Sequence, residues 1–100
     1  MTMLRAYILA YDITDPKRLR AMHRLAKAFG RPLQYSIFAC LLRREDRVRL
    51  AARIQNTINH REDRVIILDT GPVVDRESWI PPMEIFGVQA IARSRSALIV

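Results

Sequence analysis

One cysteine in one hundred residues excludes an internal disulfide framework and a multi-cysteine zinc site. That residue, Cys40, stands in an apolar run, where packing is its ordinary use. No apolar run approaches the length of a membrane-spanning helix. The apolar stretch within residues 1–10 is too short for a signal-peptide core with its cleavage site, and it leads straight into a charged helix. A cytoplasmic protein with no membrane partner is therefore expected. Repeats, low-complexity tracts and domain boundaries are also missing, so residues 1–100 read as a single domain. Such a domain holds a modest core and gains appreciably from oligomerisation.

Acid is scarce where base is plentiful. Seventeen Lys and Arg face ten Asp and Glu, a net charge of +7. Residues 1–60 carry twelve bases and four acids, whereas residues 61–100 carry five bases and six acids. The +8 of the first part suits a polyanionic or acidic partner. Fifteen of the bases are Arg, whose planar fork binds phosphate oxygens in pairs. A genome favouring Arg codons accounts for that excess equally well.

Residues 3–13 (MLRAYILAYDI) are apolar on both alternating faces, which predicts a central strand covered on both sides. Asp15 then offers a cap to a helix with Pro16 at its first position. The helix is expected to reach about Phe29, with Gly30 as a left-handed terminator. Leu19, Met22, Leu25, Ala26 and Phe29 share its apolar face, and Lys17, Arg20, Arg24 and Lys27 form a basic stripe. Arg18 points from the first turn toward the apolar side.

By pattern alone, residues 33–42 (LQYSIFACLL) make one long strand. A second helix follows from about Arg44 to Asn59, with Val48, Ala51, Ile54 and Ile58 inward. Residues 65–68 (VIIL) form a further buried strand, closed by the turn signal Asp69-Thr70-Gly71-Pro72. Two helices cover only one face of a sheet, so the other face calls for a second copy of the chain or the C-terminal segment. His23 has no ligand-type residue three or four positions on and His60 has only Asp63, past the helix end, so both read as surface residues.

The pair YDITDPKRLR (residues 11–20) and LQYSIFAC (residues 33–40), followed by EDRVIIL at 62–68, closely resembles the small CRISPR-associated "Cas-two" family, the companion of the integrase in spacer acquisition. The resemblance implies an α+β, ferredoxin-like βαββαβ fold in which residues 33–42 break into two strands near Ser36–Phe38. It implies a homodimer formed sheet to sheet, with an additional C-terminal strand from Ser96–Val100 and residues 73–100 exchanged or packed at the dimer interface. It also places a divalent metal, magnesium, at the two-fold on Asp12, the catalytic candidate. Two such carboxylates repel unless a hard cation lies between them.

Around Asp12, Lys17, Arg18, Arg20, Arg24, Lys27 and Arg31 are the nucleic-acid-binding candidates. Arg18 and Arg31 either contact phosphate near Asp12 or pair with Asp12 or Asp15. Tyr11, Ser36 and Phe38 are site-lining candidates, with packing the leading reading for Tyr11 and Phe38. Ala39 stands where the family often has Glu, and Pro32 interrupts the usual run before Leu33.

The family includes metal-dependent endoribonucleases and DNases as well as noncatalytic scaffolds. A single acidic ligand per chain and no identifiable general base favour a dimeric scaffold that bridges integrase subunits and binds duplex DNA. Phosphodiester hydrolysis of RNA or DNA can coexist with that role. The alternative is a toxin-like endoribonuclease on the same fold.

Overall fold

Residues 3–87 are described by a computed structural model. They run β1 (Arg5–Asp12), α1 (Pro16–Phe29), β2 (Arg31–Gln34), β3 (Ile37–Leu42), α2 (Arg44–Thr57) and β4 (Arg64–Pro72). The strands form one sheet in the order β2-β3-β1-β4, with every neighbouring pair antiparallel. This is the ferredoxin-like βαββαβ arrangement. The break between β2 and β3 falls at Tyr35-Ser36, so the single strand suggested by the apolar pattern is two.

Strand alternation divides the side chains into two layers. Tyr7, Leu9, Tyr11 and Ile13 join Phe38, Cys40 and Leu42 of β3 beneath the helices, where Met22, Leu25 and Ala26 of α1 and Leu50 and Ile54 of α2 complete the core. Phe38, Leu9, Met22, Leu50 and Cys40 are fully enclosed. Burying a side chain of this kind stabilises the fold by roughly 1.5–3 kcal/mol. On the opposite face Ile8, Leu33 and Ala39 form a smaller cluster with Ile37 and Trp79. Thus Trp79, from the irregular segment after β4, reaches back over the β1–β3–β2 part of that face.

Asp15 caps α1 as expected, its Oδ2 accepting the Arg18 N–H at 2.9 Å. Gly30 ends the helix for a different reason from the one expected. Its φ is −157°, extended rather than left-handed, and its N–H donates to the Ala26 carbonyl. What requires glycine is proximity: a Cβ there would meet the Ala39 carbonyl oxygen at 2.5 Å and the Cys40 Sγ at 2.6 Å.

In α2 the inward residues are Leu50 and Ile54, whereas Val48, expected inside, is 52% exposed. Ile54 and Ile58, also expected inward, do meet the core, so Val48 lies at the edge of the apolar face and Leu50 takes its place within it. The Asp69-Thr70-Gly71-Pro72 signal does not close β4. The strand continues through a bulge between Ala6 and Tyr7 of its partner and pairs to Arg5↔Pro72. Gly71 takes φ 110°, and its N–H donates to Asp69 Oδ1 at 2.9 Å, so turn chemistry is used inside a ladder. The C-terminal strand expected at Ser96–Val100 lies outside the described residues.

Candidate functional site

Asp12 is the last residue of β1, exposed, and paired in register with Arg64 of β4. Even-numbered residues of β1 face away from the helices. Along that face Ile8 lies opposite Leu68, Ala10 opposite Ile66, and Asp12 opposite Arg64. The carboxylate thus terminates an apolar row, with a guanidinium-bearing residue as its cross-strand neighbour. Ile66 and Leu68 are 52% and 57% exposed, so the β4 side of this row is uncovered among the described residues.

As a donor set, a carboxylate suits a hard, oxygen-seeking cation. Among the described residues no three His, Cys, Asp or Glu side chains converge. A cation held at Asp12 would therefore need donors beyond these side chains, such as water, substrate or a second copy of the chain. Magnesium, which retains several waters, is compatible with so few protein ligands.

Behind Asp12, Tyr11 turns into the core. Burial, with a smaller contribution from Tyr35, pushes its phenol up to about 12, so it remains a proton donor at neutral pH. Its Oη donates to the Tyr35 carbonyl at 3.2 Å and lies 3.0 Å from His23 Nδ1. Because a phenol has one proton and a carbonyl only accepts, satisfying both contacts requires His23 Nδ1–H to donate to the phenol oxygen. His23 stacks on Tyr35 with centroids 4.9 Å apart and meets Phe38 edge-on at 5.6 Å. Phe38 is the floor of this group, and the backbone oxygen of Ser36 accepts the Tyr11 N–H at 3.1 Å. Cys40, whose thiol burial pushes up to about 12, is a packing residue rather than a nucleophile.

The cationic candidates separate into three situations. Lys17, Arg20, Arg24 and Lys27 lie exposed along α1. Arg18 instead donates through Nε to Asp63 Oδ2 at 2.7 Å and through Nη2 to Glu62 at 2.9 Å, with Asp15 at 3.8 Å. Asp63, enclosed, also accepts the Asn59 N–H at 2.8 Å. The Arg18 hydrogen bond, aided by that amide, holds its carboxyl below the usual range. Arg18 thereby ties the start of α1 to the α2–β4 connection. Arg31 is exposed at the start of β2, opposite Ala39, which in turn pairs with Ile8. That places it roughly 13 Å back along the strand direction from Asp12 and two strands across. The fold therefore does not bring Arg31 to Asp12.

The arrangement offers an exposed strand-end carboxylate, an apolar row beside it and an exposed basic helix. The family model for the CRISPR-associated protein Cas2 matches residues 4–75 of this chain, spanning nearly all of β1 through β4. The chain belongs to the Cas2 family. A CRISPR-associated endoribonuclease Cas2 of Rhodospirillum rubrum is 40% identical over 70 residues, covering 70% of this chain and 69% of that protein. Another, from Geobacter sulfurreducens, is 41% identical, with coverage of 70% and 74%. A crystal structure of a hypothetical protein from Thermus thermophilus superposes on this Cas2 family member with a TM-score of 0.70 at 29% identity, covering 86% and 94% of the two chains.

Three residues near this Cas2 site escape sequence reasoning. His23 is half-buried within the aromatic group rather than a plain surface residue. Its spacing from Met22 and Ala26 on α1 placed it at the core margin, and that was the available signal. Tyr35 and Arg64 depend on a turn position and a strand register that no local pattern supplies. No helix among the described residues is long and apolar enough to cross a membrane.

Proposed function

We propose that the chain acts as a homodimeric, nucleic-acid-binding component of CRISPR adaptation, bridging integrase subunits in the cytoplasm. A metal-dependent phosphodiester hydrolysis accompanies this role. The observation that carries the reading is Asp12 ending an apolar row whose β4 members, Ile66 and Leu68, are more than half exposed. Covering that row with a second copy removes the exposed apolar surface and gathers the carboxylates of two chains along one interface. Like charges so gathered favour a divalent cation between them.

Asp12 and its partner counterpart would hold the cation, with magnesium the best match to a few hard donors. When bound, magnesium polarises a phosphodiester oxygen and lowers the pKa of coordinated water. The protein's own part is positional. The β1 ladder fixes the Asp12 backbone, Tyr11 anchors the strand end in the core, and Arg64 supplies positive charge beside the carboxylate for an incoming phosphate. Lys17, Arg20, Arg24 and Lys27 neutralise phosphates of DNA or RNA without reading sequence. Arg18, occupied by three carboxylates, serves the fold in this reading, and Arg31 serves a separate patch.

A double dissociation tests the two roles. Asp12→Asn is expected to abolish magnesium-dependent cleavage of RNA or DNA while leaving duplex DNA affinity and spacer integration intact. Arg20→Glu with Arg24→Glu is expected to weaken duplex binding and to flatten its logarithmic salt slope by about 2. Cleavage that survives Asp12→Asn removes Asp12 from the chemistry. An unchanged salt slope in the double variant removes the α1 stripe from the binding surface.

A further inference from the structure

We propose that the outer face of the Tyr35 ring is a stacking platform for an unpaired nucleobase. The proposal rests on the nucleic-acid-binding reading above and gives that surface a preference for single strands at this edge. Tyr35 is 62% exposed, an unusual position for a large ring at a two-residue turn between strands. It is nevertheless held by two contacts. Its inner face lies on the His23 imidazole, 4.9 Å between centroids and 18° from parallel. Its own carbonyl accepts the Tyr11 hydroxyl. His23 is in turn held by the same hydroxyl and by the edge of its contact with Phe38, which is fully enclosed.

A ring seated on one side and open on the other loses little freedom when a second ring lands on it. The surrounding charge selects the kind of ring. Arg20 lies three residues before His23 on α1 and Lys27 four residues after it, so both flank its face of the helix, and both are exposed. An aromatic plane bordered by cations is the pattern by which proteins hold single strands: phosphates meet the cations while a splayed base stacks. A duplex keeps its bases stacked on one another and presents mainly phosphates, so it can use the cations but not the platform. An apolar protein side chain has no use for the flanking cations.

The test compares wild type, Tyr35→Ala and Tyr35→Phe on single-stranded DNA, on single-stranded RNA of the same sequence, and on the DNA duplex long enough for its ends to be a minor share of sites. The single strands carry one 2-aminopurine, whose emission falls when it stacks. Tyr35→Ala is expected to weaken single-strand binding by about tenfold and to abolish the quenching, with duplex affinity unchanged. Tyr35→Phe is expected to retain both binding and quenching, since the ring rather than the hydroxyl stacks. Response of the RNA arm alone or the DNA arm alone assigns the platform to that nucleic acid. Equal loss on single strands and duplex, or no loss on any, overturns the platform while leaving the wider reading standing. Wild type that binds none of the three overturns both.

Discussion

The two faces of the sheet are built from the same strands, yet only one is finished. Beneath the helices, Leu9, Phe38, Met22 and Leu50 are fully enclosed, and the polar atoms that enter this layer, such as the Tyr11 hydroxyl, have partners. On the other face Trp79 helps cover Ile8, Leu33 and Ala39, while Ile66 and Leu68 remain more than half exposed. The closed face holds the domain together. The open one carries Asp12 at its margin, and in the proposed function a second copy covers it. Stability thus lies with one side of β1 and the candidate site with the other, residue by alternate residue.

Changes that confuse the two faces have graded consequences. The largest is expected on the closed face: Phe38→Ala removes a fully enclosed ring and the floor beneath Tyr11 and His23, destabilising the chain by about 3–5 kcal/mol in denaturant titration. On the open face, Leu68→Lys should leave the chain folded, because the position is already exposed, but weaken self-association on the order of tenfold or more by sedimentation. Cleavage should fall with dimer population. A dimer unaffected by Leu68→Lys would break the link between the uncovered row and self-association.

The smallest effect belongs to the ion pair that braces the closed face from its end. The Asp63 carboxyl lies below its ordinary value when folded, so its contribution is complete above the unfolded pKa of about 4 and is lost as the pH falls through the folded value. Thermal unfolding of Asp63→Asn should therefore lie a few degrees below wild type at neutral pH, with the gap closing in strong acid. A gap independent of pH would assign the loss to packing instead of charge.

Much of this division was legible in the residues. The alternation of residues 3–13 marks a strand with two apolar faces, and Asp15-Pro16 marks the start of α1, because both are read from neighbours in the chain. Asp12 was singled out by the family resemblance, with which its place after an apolar strand agrees. Val48 was misplaced because it lies at the edge of the apolar face of α2, and the Asp69–Pro72 signal misled because a bulge uses the same residues as a turn. Arg18 was read as a phosphate contact or as a partner of Asp12 or Asp15; Asp15 does lie 3.8 Å away, but the closer partners, Glu62 and Asp63, are more than forty residues distant in the chain.

By itself, the sequence determined the capped basic helix, the charge asymmetry and the acid at the end of β1, all carried by local periodicity and residue chemistry, whereas periodicity alone merged β2 with β3. The tertiary structure decided which side of β1 remains open, that Arg64 stands opposite Asp12, that Arg18 is bound to Asp63, and that His23 supports Tyr35. Those outcomes depend on strand register and on contacts distant in the chain. Register is set by the packing of whole elements, so a pairing such as Asp12↔Arg64 exists only once the sheet has formed.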